Sequence, residues 1–263
     1  MGSINSDVSA RMSHRLRSIA DMLGASCAGK KDERPIVADI GCDHGYVSIY
    51  LVQSGAAKGA VAMDVRKGPL QGAADNISEY GLSDKIVTRL SDGFAELKKG
   101  EAEAAIIAGM GGKLMMRILE DGDPVALGIK EAVLQPQSDF DEFREYLRNK
   151  GYTIAEENVI FDEGKYYFPM RVIFGRGEDH LEKAVELLVA KTGCSDDTAR
   201  SICNRFGEHN ILKKDALLKE YLEHGREVSE SILQNLEKAG HEKRYEELTK
   251  ELEEIKLLLK LFE

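Results

Sequence analysis

No segment of this 263-residue chain stays apolar for anything near the roughly 18 residues that a membrane-crossing helix needs, so no transmembrane span is expected. Cysteine is scarce and scattered. Cys27, Cys42, Cys194 and Cys203 show no CxxC spacing, which argues against a metal cluster and predicts free thiols in a reducing compartment. Met1 to Ser9 are small and polar, with no apolar signal core, so the protein is expected in the cytoplasm. Positive charge is in deficit: 36 Lys and Arg against 46 Asp and Glu leave a net charge of −10. That argues against a whole-surface nucleic-acid binder and leaves room for a local basic patch. A GxGxxG dinucleotide fingerprint is missing as well.

What is present is a globular composition, 43% hydrophobic and 31% charged. The length suits one full α/β domain plus a smaller appendage. The most informative stretch begins at Ile36. Ile36 to Ile40 reads as a buried strand, Gly41 and Gly45 as a tight loop, and Val47 to Val52 as a helix. A strand that ends in glycines and enters a helix makes a ligand site: glycine permits close approach, and the helix start offers free N–H groups. The spacing is D-x-G-x-D-x-G-Y. Asp43 stands where a dinucleotide site has its second glycine. Its carboxylate repels pyrophosphate and suits an amine, a hydroxyl or a positive charge.

In chain order, Ser9 to Leu23 predicts a helix with Arg11, His14, Arg15 and Ser18 on one face. Gly29 to Pro35 reads as a polar loop. Gly59 to Asp64 is a second buried strand ending in an acid, 23 positions after Gly41. An isolated aspartate there is more often a turn or cap residue. After the glycine loop, the reading as a ribose-binding carboxylate prevails. Lys67 to Tyr80 is a helix and Lys85 to Leu90 a third strand, followed by Asp92-Gly93, where Asp92 suits an adenine amino group. Ala102 to Ala108 is a fourth strand. Gly109, Met110, Gly111, Gly112 and Lys113 follow it, with more glycine than a simple turn needs, so a close approach to substrate is expected. Leu114 to Glu120 is the next helix. Lys130 to Leu134 is a fifth strand, Phe140 to Lys150 a helix, and Tyr152 to Phe161 and Lys165 to Phe174 two strands joined by a hairpin turn.

Past Gly175-Arg176-Gly177 the pattern changes. Leu181 to Phe206 gives short helical segments, and no strand pattern follows Asn210. Leu248, Leu252, Ile255 and Leu259 form an a/d seam, with Tyr221, Val228 and Ile232 as the partner stripe and Gly240 as the break. An antiparallel helical hairpin is expected. The carboxylates Asp39, Asp43, Asp64 and Asp92 all fall near strand ends on one side. That set disfavours a phosphate-rich cofactor and favours S-adenosylmethionine, whose amine, ribose and sulfonium all welcome carboxylates.

The string Ala38 to Tyr46, together with Met12 to Leu16, Ile106 to Gly112, Val133 to Pro136 and Glu163 to Tyr167, resembles the TrmK family of bacterial tRNA (adenine-N1) methyltransferases. That family acts on the adenine at position 22, in the D-arm region. The resemblance covers nearly the whole chain. It implies a class I, Rossmann-like methyltransferase domain with a seven-stranded, mostly parallel α/β sheet over residues 1–175. A helical coiled-coil domain that helps hold tRNA would occupy 176–263.

The resemblance places Asp39, Gly41, Cys42, Asp43, Gly45, Tyr46, Asp64, Val65, Asp92, Gly93, Ala108, Gly109 and Met110 at the cofactor. Arg11, Arg15, Gly111, Gly112, Lys113, Arg117, Gln135 and Pro136 are the tRNA candidates, with Arg144 a further basic one. Asp43 and His44 are the candidates for assisting proton loss from the methylated base. The implied partner is tRNA, with no membrane and no metal, and the chain acting as a monomer or weak dimer. Three positions depart from the family pattern: Asp64 replaces a glutamate, Gln137 an asparagine and Gly45 an alanine.

Three other readings compete. One is a methyltransferase for a small molecule or protein, with the helical tail used for dimerisation. A nicotinamide-linked oxidoreductase is opposed by Asp43 and the missing fingerprint. A non-catalytic tRNA-binding protein is opposed by the intact acid set.

Overall fold

The computed structural model describes residues 7–26, 34–236 and 242–263. The chain opens with a short 3₁₀ turn, Val8–Arg11, and continues through α1 (His14–Ser26), β1 (Ile36–Ile40), α2 (Tyr46–Gln53), β2 (Gly59–Asp64), α3 (Lys67–Glu79) and β3 (Ile86–Leu90). Next come β4 (Ala104–Met110), α4 (Gly112–Gly122), α5 (Pro124–Leu127), β5 (Glu131–Pro136), α6 (Phe140–Asn149) and β6 (Thr153–Glu157). After β7 (Ile160–Asp162), β8 (Lys165–Tyr167) and β9 (Met170–Ile173), the chain is helical: α7 (Leu181–Thr192), α8 (Asp196–Phe206), α9 (Glu208–Lys213), α10 (Ala216–Leu236) and α11 (Glu242–Leu259).

Seven strands form one sheet in the order β3-β2-β1-β4-β5-β9-β6. The pairs among β1 to β5 are parallel, and β9 runs antiparallel to both β5 and β6. The apolar runs give this architecture because strands buried on both faces need no polar alternation. β1 shows the consequence: Val37 packs into one core layer, while Ala38 and Ile40 pack into the other. Ile19, Leu23, Ile49 and Ile77 from α1, α2 and α3 cover the first face. Met115, Ile118, Phe143 and Leu147 from α4 and α6 cover the second. The strand order reverses between β1 and β4, and in an open α/β sheet the ligand crevice forms at the carboxyl ends beside that switch.

Three expectations need correction. The N-terminal helix begins at His14, and Arg11 lies in the preceding 3₁₀ turn, so Arg11 does not share a helical face with Arg15. The two long strands after α6 are each broken. β6 and β9 pair only as far as Glu157 and Met170. Beyond them the Asn158 N–H donates to the Pro169 carbonyl at 3.1 Å, but proline has no N–H to return, and the ladder stops. The ribbon continues as the separate β7–β8 hairpin. The third correction concerns the tail. Leu248, Leu252, Ile255 and Leu259 are buried as expected, but Val228 and Ile232 are 42% and 40% exposed. Among the described side chains of α10 the buried ones are Leu218, Leu222 and Ser229, and a Cβ at Gly225 would lie 3.4 Å from Ile255. This 4-3-4 spacing runs through a glycine and a serine, which no apolar pattern marks. The Gly240 break, Cys27, Met1 to Ser6 and residues 29–33 of the polar loop lie outside the described residues.

The tail is fastened to the sheet by a buried ionic cluster. Arg144 Nε donates to Glu157 Oε1 at 2.7 Å, and the two side chains are 0% and 1% exposed. Arg144 Nη1 donates to the Asn204 and Arg205 carbonyls at the end of α8. Glu157 accepts from the His209 N–H, and Arg148 pairs with Glu208 at 2.6 Å. Gly207 sits directly on the Glu157 carboxylate, leaving no room for a Cβ. Arg144 is therefore a structural cation shielded from any phosphate. Removing one member of such a pair strands the other's charge, at a cost of about 3–5 kcal/mol. Arg144→Ala should lower unfolding stability by about that amount in urea titrations. Arg144→Lys should recover little of it, because lysine lacks the planar fork.

Candidate functional site

The loop after β1 is shaped by backbone hydrogen bonds. The Gly41 and Cys42 N–H groups both donate to the Met63 carbonyl, at 2.7 and 2.9 Å. Gly41, Asp43 and Gly45 adopt φ of +75°, +48° and +72°. Glycine takes this region freely, and aspartate is among the few side chains that tolerate it. A Cβ on Gly45 would lie 3.1 Å from that of Ala73 in α3. Glycine at this position thus permits both the turn and the close packing of α3.

The chain folds here around a cavity of about 530 Å³, within the roughly 300–1,000 Å³ of small-molecule sites. Asp39 lies at its base, 4% exposed, accepting from the Ser48 hydroxyl at 2.7 Å. Burial pushes its carboxyl up to about 6, partly offset by the Ser48 hydrogen bonds. Asp64 is equally buried, and its Oδ1 accepts from the Arg66 N–H at 2.8 Å. Asp43 and His44 stand exposed on the rim, 3.8 Å apart, with the His44 ring stacked on Tyr46. Asp92 lies at the other rim, 3.7 Å from Arg117. Burial, followed by the neighbouring carboxylates, pushes the Cys42 thiol well up, which disfavours the thiolate. Val65 and Leu114, large apolar side chains left substantially exposed, form a wall of the cavity with Ile118. A flat apolar ring suits that wall, and the carboxylates suit hydroxyls and an amine.

Asp39, Gly41, Cys42, Asp43, His44, Tyr46, Asp64, Val65, Asp92, Gly93, Ala108, Gly109 and Met110 all line this cavity, as do Arg15 and Arg117. Gly45 does not; it shapes the loop from behind. Gly111 and Gly112 also lie outside the lining: Gly111 caps α4, and a Cβ on Gly112 would run into the Ser138 carbonyl, so these glycines serve helix packing. Lys113 faces Asp139 and Glu142 at 3.8 and 3.5 Å. Arg11 pairs with Glu79 and covers Tyr80. Gln135 is fully buried, accepting from Arg15 Nη1 at 2.7 Å and donating to the Pro136 carbonyl at 2.8 Å. It therefore positions Arg15 without facing the cavity, and Pro136 lines a different one.

Sequence reasoning missed Gln137, Arg66, Ser91, Leu16, Leu114 and Ile118 as lining residues. Gln137 carries no sequence signal: it lies past the end of β5, where strand alternation no longer assigns faces, and Gln135 two positions earlier does not line the cavity. The apolar ones carry no signal, since α1 and α4 reach the cavity only through tertiary packing. Among the described residues, no group of three or more His, Cys, Asp or Glu side chains could hold a metal ion. No helix among them is long and apolar enough to cross a membrane.

Residues 12–170 match the sequence model of a family described as a methyltransferase domain. The tRNA (adenine(22)-N(1))-methyltransferase of Bacillus subtilis is 30% identical over 254 residues, covering 94% of this chain and 96% of its own. Among solved structures, the B. subtilis m1A22 tRNA methyltransferase TrmK is 27% identical with a TM-score of 0.74, over 94% of this chain and 98% of that one. Streptococcus pneumoniae Sp1610 in complex with S-adenosyl-L-methionine is 27% identical with a TM-score of 0.75, over 94% and 99%. The match runs through the cavity, the seven-stranded sheet and the helical tail alike, and on that basis the chain belongs to the TrmK family of tRNA (adenine(22)-N1)-methyltransferases.

Proposed function

We propose that this chain transfers a methyl group from S-adenosylmethionine to N1 of the adenine at position 22 of tRNA. The observation that carries the reading is the four-carboxylate cavity at the sheet's switch point in a chain whose likeness to a TrmK relative covers 94% of its length. Residues 1–175 form the methyltransferase domain and 176–263 the helical domain. The a/d seam of the tail is buried within the chain, so it is not itself a dimer contact, and we take the chain to act as a monomer or weak dimer. A tRNA-modifying enzyme with no membrane-crossing helix among its described residues fits the cytoplasm.

The donor set fits the cofactor. Asp39 would take the amino group, Asp64 the ribose hydroxyls through its remaining lone pairs, Asp92 the adenine amine, and Val65, Leu114 and Ile118 the adenine ring. The cofactor supplies a sulfonium methyl, which adenine N1 takes with its in-plane lone pair while the C–S bonding electrons return to sulfur. Because N1 is already a nucleophile at neutral pH, the protein's main task is to hold the base in line. Such positioning can contribute roughly 7–11 kcal/mol at its upper range. Gly109, at a φ of +78° that favours glycine, brings its backbone to the cavity beside Arg15 and Gln137, where we place the approach of the flipped base. Arg15 is held there by Gln135, by the Asp162 carboxylate on its N–H and by the Tyr167 ring. The methylated adenine is a cation that loses its proton from N6. We assign receipt of that proton to Asp43, an exposed carboxylate on the cavity rim with His44 beside it.

Three outcomes are expected. Incubating the purified protein with tRNA and labelled cofactor should place the methyl at N1 of adenine 22, mapped by nuclease digestion and mass spectrometry. Label in protein or small molecules alone would refute the reading. Asp64→Ala should raise the cofactor Kd by about 10- to 100-fold, the cost of one or two charge-assisted hydrogen bonds. Asp43→Asn should lower kcat by about tenfold, short of the roughly 10²–10⁴-fold of a full general base, while cofactor and tRNA binding persist. Full turnover would remove Asp43 from the proton-accepting role.

The Asp39 carboxyl gives a pH signature as well. Its value in the free protein is about 6. A bound ammonium favours the ionised form, so binding below pH 6 must expel a proton. Cofactor affinity should fall as pH drops through 6, by up to about tenfold per unit for one proton. Calorimetry on Asp39→Asn should show weaker binding without that slope.

A further inference from the structure

A second cavity, of about 390 Å³, opens beside the first. Gln137 lines both. Its walls are aromatic: Phe140 at the start of α6, Tyr166 and Tyr167 of β8, Phe168 after it, and Tyr221 of α10. The rings brace one another, with Tyr166 and Phe168 5.3 and 5.0 Å from Tyr221, and Phe140 5.3 Å from Phe168. Tyr167 is engaged by Arg15, whose guanidinium lies 5.0 Å from the ring centroid and lines the first cavity. Lys165 is the one charged residue of the lining, and no carboxylate is among it. The contrast with the acid-lined first cavity is chemical: one suits amines and hydroxyls, the other a flat ring.

We propose that this second cavity takes a nucleobase of the tRNA, the one adjoining the target adenine in the strand. The inference rests on the tRNA reading above. Flipping the target costs a few kcal/mol of stacking and exposes the face of its neighbour. Proteins that bind unpaired RNA meet such faces with aromatic side chains. An aromatic cavity joined to the methyl-transfer cavity through Gln137 lies within reach of that neighbour, and Lys165 suits the backbone phosphate beside it. The wall is too poor in cations to be a phosphate site of its own. The arrangement also gives the helical tail a defined part in substrate binding. Tyr221 of α10 completes a pocket whose other walls belong to the sheet domain.

The test uses the full-length protein with S-adenosylhomocysteine and a methylatable tRNA transcript. Further transcripts carry an abasic site on one or the other side of the target adenine. Affinity is read by fluorescence anisotropy. Wild type should bind one of the two abasic RNAs about tenfold more weakly, the size of one lost base–aromatic stack. Tyr166→Ala should bind intact RNA weaker by a similar factor and lose little more on that abasic RNA, while Tyr166→Phe, which keeps the ring, should match wild type. Equal wild-type affinity for all three RNAs overturns the proposal, and this arm stands even if the alanine variant fails to fold. So does a folded Tyr166→Ala that still pays the full abasic penalty. Methylation of the intact RNA by wild type is measured in parallel. If it proceeds and the abasic effect is missing, only the second pocket falls. If no methyl reaches the tRNA, both readings fall.

Discussion

Two N–H groups, those of Gly41 and Cys42, donate to one carbonyl, that of Met63, and the site depends on this contact. It turns the chain off the end of β1 and across the end of β2. Asp39, Asp43 and Asp64 come from different points of the chain, yet this crossing brings them around one cavity. The turn requires left-handed backbone at Gly41, Asp43 and Gly45, which explains why the loop is built from glycine and aspartate. The same geometry buries Asp39 deeply enough to raise its proton affinity, so the fold and the electrostatics of the site share one cause.

The helical tail is joined to this machinery by ions as well as by an apolar contact in which Val159 and Phe168 enter the tail's own core. Arg144 and Arg148 of α6 reach Glu157, Glu208 and the carbonyls ending α8. Buried pairs of this kind add little net stability over a hydrophobic contact, but they tolerate few alternative geometries. That suits a tail whose Tyr221 must meet Tyr166 and Phe168 within about 5 Å. An acidic protein that handles tRNA also has to localise its favourable contacts. With a net charge of −10, it cannot rely on diffuse attraction. In the proposed reading, Arg15, held between Gln135 and Tyr167, and the aromatic cavity beside it would supply directional contacts that a negative surface does not cancel.

Much of the sheet domain was legible in the chain. β1 and β2 lie where the apolar runs place them, because a strand buried on both faces advertises itself by continuous hydrophobicity. The cofactor loop was legible for the same reason: glycine and aspartate there answer to backbone geometry, which is local. Reading failed where one distant residue decides the outcome. Pro169 ends the β6–β9 ladder from the opposite strand, and nothing in Tyr152 to Phe161 announces it. Gly225 and Ser229 fill the hairpin seam because α11 approaches closely, whereas the apolar Val228 and Ile232 face outward. Arg144 looks like any surface arginine of an amphipathic helix until α8 and α9 close over it.

By itself, then, the sequence determined the α/β class, the place of the glycine loop, the acids at the strand ends and the kinship to TrmK enzymes. These rest on local propensity and on residue types that admit few roles. Only the tertiary structure decided which cations are free and which are locked in buried pairs, which of Gln135 and Gln137 faces the site, and that an aromatic cavity adjoins it. Those facts depend on contacts between residues 50 to 100 or more positions apart, as in Arg15 with Gln135 or Arg144 with Asn204, and a linear pattern holds no record of which distant partner will arrive.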